Sequence, residues 1–370
     1  YEGVLVGGRR EGDGKVVYAN GDVYVGEFKD DRRDGQGTFT GTDGYVYTGS
    51  WIAGQIEGQG TVTYPDGSVY VGQFRDDLAD GQGKITYPDG STYEGDWAAG
   101  VIEGTGLATY TNGVVYEGEF KDGRQHGKGT FTLPGGYEYT GDWVEGEIRG
   151  DGVARFPNGS VYEGQFAKGK PEGIGKIVFA DGSTYEGSWL DGKITGQGVA
   201  LYANGVRYEG SFRNALHHGR GTMQSPGGYV YEGDWVNGVK EGNGTITYPD
   251  GSIYEGRVAD GDREGQGKLT MPDGLIYDGM WKDGQIDGAG TLTQSNGDVY
   301  EGQLVAGRRE GKGKVNYANG DIYEGNFVDS KRQGPGTMRY ASGQEASGTW
   351  ENGALKSTAD QPAETESGSD

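Results

Sequence analysis

A tyrosine-glycine pattern returns every 23 residues along this 370-residue chain, and it fixes what the chain can fold into. Tyr-Glu-Gly or a near variant begins at Tyr1, Tyr24, Tyr47, Tyr70, Tyr93, Tyr116, Tyr139 and Tyr162. It continues at Tyr185, Tyr208, Tyr231, Tyr254, Tyr277, Tyr300 and Tyr323 with no insertion or deletion. A sixteenth start is degenerate: Ala346, Ser347, Gly348. A unit this short cannot bury a core alone, so each must lean on its neighbours in a linear array. Counted from each Tyr as one, positions 3, 12, 14 and 21 are Gly in every full repeat. Glycine at fixed places has a geometric purpose.

One repeat, Gly81 to Trp97, shows the local fold. Two alternating stretches flank Pro88-Asp89-Gly90, the pattern of a β-hairpin. A two-residue Asp-Gly turn would put Tyr93 on the face opposite Ile85. A three-residue loop, type I with Gly in the left-handed position, restores the match. Ile85 then faces Tyr93, Gly83 faces Gly95 and Gly81 faces Trp97. One face carries Tyr, Gly, Trp or Phe and an aliphatic residue; the other carries Thr, Lys, Glu, Asp and Gln, so one side is wet. Glycine beside large rings leaves room for them to lie across neighbouring backbone. The fold class is therefore all-β: an elongated, twisted, single-layer antiparallel β-meander with one hairpin per repeat. Two strands per repeat give roughly 9.6 Å of advance, on the order of 140 Å in all. Hairpins are expected to join through loops such as Lys121–Gly127.

A second period lies inside the first. The fifth position alternates Phe28, Trp51, Phe74, Trp97, Phe120, Trp143, Phe166, Trp189, Phe212, Trp235, so the unit is a pair of repeats. The segments that follow alternate too, with Ile56, Ile102, Ile148, Ile194 and Ile286 after Trp, and Arg32-Arg33, His217-His218 and Arg263 elsewhere. The array is expected to span 1–353, with 354–370 a disordered acidic tail without aromatics.

A formal charge of −23 disfavours nucleic acid, whose affinity comes from cations neutralising phosphates, and disfavours docking on anionic lipid. No apolar run approaches the ~20 residues that span a bilayer. The absence of cysteine removes disulfides and thiolate metal sites. The first residue is a tyrosine, read as a sign of processing or truncation. If the chain is bacterial, an extracytoplasmic location with a removed signal peptide is preferred over a cytoplasmic or membrane-peripheral one.

The recurring Tyr-Glu-Gly, aromatic, Gly-x-Gly, Tyr-Pro-Asp-Gly pattern resembles the MORN repeat (membrane occupation and recognition nexus) over about 350 residues. The resemblance implies an elongated twisted sheet without catalysis of its own. Such arrays occur in junctophilins, radial-spoke proteins, protozoan cytoskeletal scaffolds, plant phosphatidylinositol phosphate kinases and many bacterial proteins, which this chain resembles most. It brings no residue-level lipid site, and no kinase domain follows the repeats.

Chemistry finds little footing. Gly-x-Gly pairs such as Gly12-Asp13-Gly14 lack the following helix that a phosphate site needs. His126 lies about 38 Å from His217 and His218 by strand spacing, so they cannot share a metal. The His217-His218 pair is read as exposed in a loop. Glu94 and Asp96 share the wet face, but equivalent pairs recur with no pocket. No cofactor or metal is expected. The aromatic face, Trp51, Trp97, Trp143, Trp189, Trp235, Trp281, Trp350, Tyr93, Tyr116 and Tyr185, is the candidate recognition or packing surface. The reading is a non-catalytic scaffold for protein partners or self-association, by dimer or end-to-end pairing. The alternative is a module binding phospholipid headgroups or polysaccharide through that face, with the charge opposing lipid.

Overall fold

Why one short repeat makes two strands is plain in the computed structural model, which describes residues 1–358. The described residues form thirty-two strands and no helix, in two compact units, Tyr1–Lys193 and Ile194 onward. Within each unit, successive strands pair antiparallel.

The expected register holds. Strand Leu78–Thr86 pairs with Thr92–Ala98 through Gly81↔Trp97, Gly83↔Gly95 and Ile85↔Tyr93. The loop between them is closed by Tyr87 N–H donating to the Ser91 carbonyl at 2.9 Å, with Gly90 N–H donating to the Tyr87 carbonyl at 2.9 Å. Gly90 has φ +90°, the left-handed region where a Cβ is costly.

The connection between hairpins differs from the expected loop. Val115–Lys121 continues into Arg124–Thr132 with Lys121 opposite Arg124. Asp122 and Gly123 alone make the turn, at φ 49° and 75°, the signature of a type I′ hairpin. Ile56, Ile102 and their counterparts therefore lie in strands, not loops. The extra residues go into a bulge. In the pairing of Val69–Arg75 with Leu78–Thr86, Gly72 faces Gly83 but Phe74 faces Ala79, and the register shifts between them. Gly81, position 12 of its repeat, takes φ +98° inside that bulge.

The core runs along one face. Each Tyr at position 1 lies over two glycines, and a Cβ on Gly106 would stand 2.5 Å from the Tyr93 hydroxyl. Tyr24, Tyr47, Tyr70 and Tyr116 are wholly buried. Burying each ring stabilises by about 1.5–3 kcal/mol. A longer period also emerges: the three buried serines, Ser68, Ser160 and Ser252, stand 92 residues apart, as do Tyr45, Tyr137 and Tyr229. The array is thus built from sets of four repeats as well as pairs.

The expected tail boundary moves. Ala354–Thr358 forms a strand paired with Glu345–Glu351, because Leu355 can still face Trp350. The rest of the expected tail, 359–370, lies outside the described residues.

Candidate functional site

The bulge explains why position 1 is tyrosine. It interrupts the ladder, leaving a carbonyl and an N–H without strand partners. The Tyr70 hydroxyl donates to the Gln73 carbonyl at 2.9 Å, and the Gln73 side-chain oxygen accepts from Gln82 N–H at 2.9 Å. The same pair of bonds recurs as Tyr93 to the Asp96 carbonyl at 3.0 Å, with Asp96 accepting from Thr105 N–H at 2.7 Å. Asp96 is therefore a bulge cap. A second row of carboxylates staples repeats together: Glu57 accepts from Asp76 N–H at 3.0 Å, Glu103 from Asp122 N–H at 2.9 Å and Glu172 from Asp191 N–H at 2.8 Å. Each of these capped N–H groups belongs to the next type I′ turn.

The candidate tryptophans are packed on both sides. Trp51 meets Tyr24 and Tyr47 edge to face at 5.4 and 5.2 Å. Its indole N–H donates to the Gly37 carbonyl at 3.2 Å. The Arg33 guanidinium lies 3.9 Å from its ring centre and donates to the Gly54 carbonyl at 2.9 Å. Trp143, Trp189, Trp235, Trp281 and Trp350 make the same indole bond to Gly129, Gly175, Gly221, Gly267 and Gly336. All six are buried, as are Tyr93, Tyr116 and Tyr185. Trp97 alone is half-buried, with its indole bonded to the Gly83 carbonyl at 3.3 Å. Ten residues sought as one surface thus form a continuous row within each unit, but nine of them present almost no ring to solvent.

The slot beside the tryptophan is filled by arginine at Arg33, Arg263 and Arg332. They lie in strands over Trp51, Trp281 and Trp350, a stacking that adds cation–π attraction. Their signal was positional, since the same slot holds Ile56 or Ile102 in other repeats. His217 occupies this slot too, so the reading of an exposed loop pair is corrected. Its ring stacks on Tyr208 with centres 3.6 Å apart and bonds the Tyr202 hydroxyl at 2.7 Å. Burial pulls its pKa down to about 4. Burial likewise pushes the Tyr24, Tyr47 and Tyr70 phenols up to about 12. Among the described residues, no group of three or more His, Cys, Asp or Glu is placed to hold a metal ion.

A second, outward aromatic row borders the core at the loop-closing positions. Tyr87 and Tyr110 are 36% and 39% exposed, and Tyr45 and Tyr64 meet at 6.3 Å. The signal for this row is that where position 18 lacks a ring, as at Gly41 and Leu133, position 22 supplies one, Tyr45 and Tyr137.

This geometry defines a class: a single-layer sheet of hairpin repeats whose recurring polar groups close its own backbone bonds. The MORN repeat model matches fifteen consecutive segments, from 1–23 through 24–44 and 47–69 to 323–345, and the chain belongs to the MORN repeat family. No curated protein matches the chain. Among solved structures, the TCP10 domain of Danio rerio CPAP, in complex with a STIL peptide, is 15% identical. That match covers 73% of this chain and 99% of that one with a TM-score of 0.27. An inactive virginiamycin B lyase from Staphylococcus aureus, with quinupristin, is 13% identical over 81% of this chain and 98% of its own, with a TM-score of 0.13. No functional residue is carried over from either protein.

Proposed function

We propose that this protein is a non-catalytic scaffold that holds protein partners, or further copies of itself, along its repeats. One observation carries the reading: the recurring carboxylates and tyrosines that could suggest chemistry each complete the backbone of their own or the next repeat. Groups fixed in this way stabilise an array rather than act on a substrate. Membership of the MORN repeat family supports the same reading. The buried tryptophans leave partner binding to outward side chains, and the charge of −23 opposes anionic membranes.

Sedimentation velocity over a wide concentration range, at low and high salt, tests self-association. Dimers or higher species little affected by salt are expected, since apolar contact rather than charge would hold them. A strict monomer at every concentration removes self-association and leaves the protein-partner form of the proposal. Salt-sensitive pelleting with phosphoinositide vesicles would replace the scaffold by the lipid-binding alternative.

A further inference from the structure

The outward aromatic row of the first unit repeats with a regularity that packing does not require. Each three-residue loop is closed by one hydrogen-bonded pair: Gly41/Tyr45, Tyr64/Ser68, Tyr87/Ser91, Tyr110/Val114, Leu133/Tyr137, and so on. In all eight hairpins of that unit, from Tyr18 to Phe179, exactly one member of the pair is aromatic. In the second unit the rule breaks at Met271/Leu275 and Gln294/Asp298, although the hairpins there are the same. The fold therefore tolerates the loss of these rings, and their unbroken run in the first unit calls for another cause.

Their polar ends differ from those of the core. Every core hydroxyl described above donates to a backbone carbonyl. The Tyr64 and Tyr87 hydroxyls bond to no other described residue, and Tyr110 only accepts from the Gln125 amide at 3.2 Å. From Tyr64 to Tyr110 the surface thus offers one flat ring with a free donor per hairpin. Between the equivalent positions Tyr64, Tyr87 and Tyr110, two strands set that spacing at about 9.4–9.8 Å, whereas Tyr45, on the strand next to Tyr64 and 6.3 Å from it, falls outside the series. A polyproline II helix repeats every three residues, about 9.3 Å, and leaves its carbonyls unpaired. Its every third residue would meet one ring per turn, drifting by less than about 0.5 Å each time. Proline rings pack on aromatic rings, and tyrosine hydroxyls can donate to the free carbonyls. The rims of three successive loops also carry Asp43, Asp66 and Asp89, fixed by bonds from Tyr45, Ser68 and Ser91 N–H groups. Those carboxylates favour cations between the prolines. A neutral glycan would leave them unused, and an anionic membrane would meet repulsion.

We propose that the Tyr64–Tyr87–Tyr110 row docks a proline-rich peptide in polyproline II form that carries Lys or Arg between its prolines. The proposal rests on the scaffold reading and names its partner class. The probe is a fluorescent peptide of about three Pro-Pro-Arg triplets, one per ring of the row. Its control keeps the arginines and replaces the prolines by Gly and Ser. Anisotropy titration of the full chain should detect the proline peptide and bind the control at least about tenfold more weakly. Tyr87→Ala and Tyr110→Ala should each weaken binding by about tenfold, the loss expected of an aromatic anchor. Tyr340→Ala, also exposed but in the second unit, should leave affinity unchanged. Circular dichroism checks that each variant keeps its sheet. No binding, equal binding of the control, or insensitivity to both first-unit substitutions overturns the proposal, as does a cello-oligosaccharide that binds this row in preference to the peptide. Sedimentation tests self-association separately from peptide binding, so the scaffold reading can stand where the peptide proposal falls.

Discussion

A phenol, and not merely a ring, is what the first position of each repeat demands. The bulge frees a carbonyl that only a hydroxyl at the end of a six-membered ring reaches, as Tyr93 reaches Asp96. Tyr93→Phe keeps the packing and leaves that carbonyl unpaired, so a loss of about 1–3 kcal/mol is expected from urea unfolding. An unchanged midpoint would show that water takes over the bond at no cost. The glycines beneath the ring are as specific. A side chain at Gly106 must displace Tyr93, and Gly106→Val should cost about 1–3 kcal/mol by overpacking. Both expectations were within reach of the sequence only in part. The fixed glycines announced close approach, whereas the reason for the hydroxyl required knowing that the ladder breaks at Gly72 and Phe74.

At the scale of the hairpin, the two ends of each strand pair were unequally legible. Pro88-Asp89-Gly90 stated its loop type openly, because a shorter turn would split Ile85 from Tyr93 across the sheet. The opposite turn was hidden for two physical reasons. Its first residue is often not glycine, as with Glu145 at φ 52° and Lys168 at φ 51°. The bulge also absorbs residues that a simple count assigns to a loop. His217 was misplaced by the same miscount, and so was the stacking of Arg33 on Trp51. The left-handed conformation at Glu145 costs roughly 1–2 kcal/mol for an ordinary side chain and less for asparagine. Glu145→Asn, giving the Asn-Gly pair that type I′ turns prefer, should therefore stabilise by up to about 1 kcal/mol. A lower denaturation midpoint would mean that the Glu145 side chain contributes something its geometry does not reveal. Stapling across hairpins gives a matching loss: Glu103→Ala removes the acceptor for Asp122 N–H and should cost about 0.5–1.5 kcal/mol in the same assay.

For the molecule as a whole, the tyrosines that build the core also set its limit in alkali. The chain holds 26 of them, and the row at position 1 is buried from Tyr24 to Tyr323. Burial disfavours the phenolate, which raises Tyr24, Tyr47, Tyr162, Tyr208 and Tyr254 to about 12, against about 10 in an unfolded chain. A pKa raised on folding means that the folded state holds the proton more tightly. The stability tied to that proton is complete below about pH 10 and is lost as pH climbs from there through about 12. Because the effect recurs in repeat after repeat, the losses accumulate, and the sheet should open cooperatively within that window. Tyrosinate absorbance of the native protein should then lag behind that of the urea-unfolded chain, the outward Tyr45, Tyr64 and Tyr87 included, because burial raises these phenols too. The raised phenols should ionise together with the collapse of near-ultraviolet circular dichroism. If every tyrosine ionised near pH 10 with the dichroism intact, the rings would be open to water, and the packing of phenols on glycine could not be what holds the repeats together.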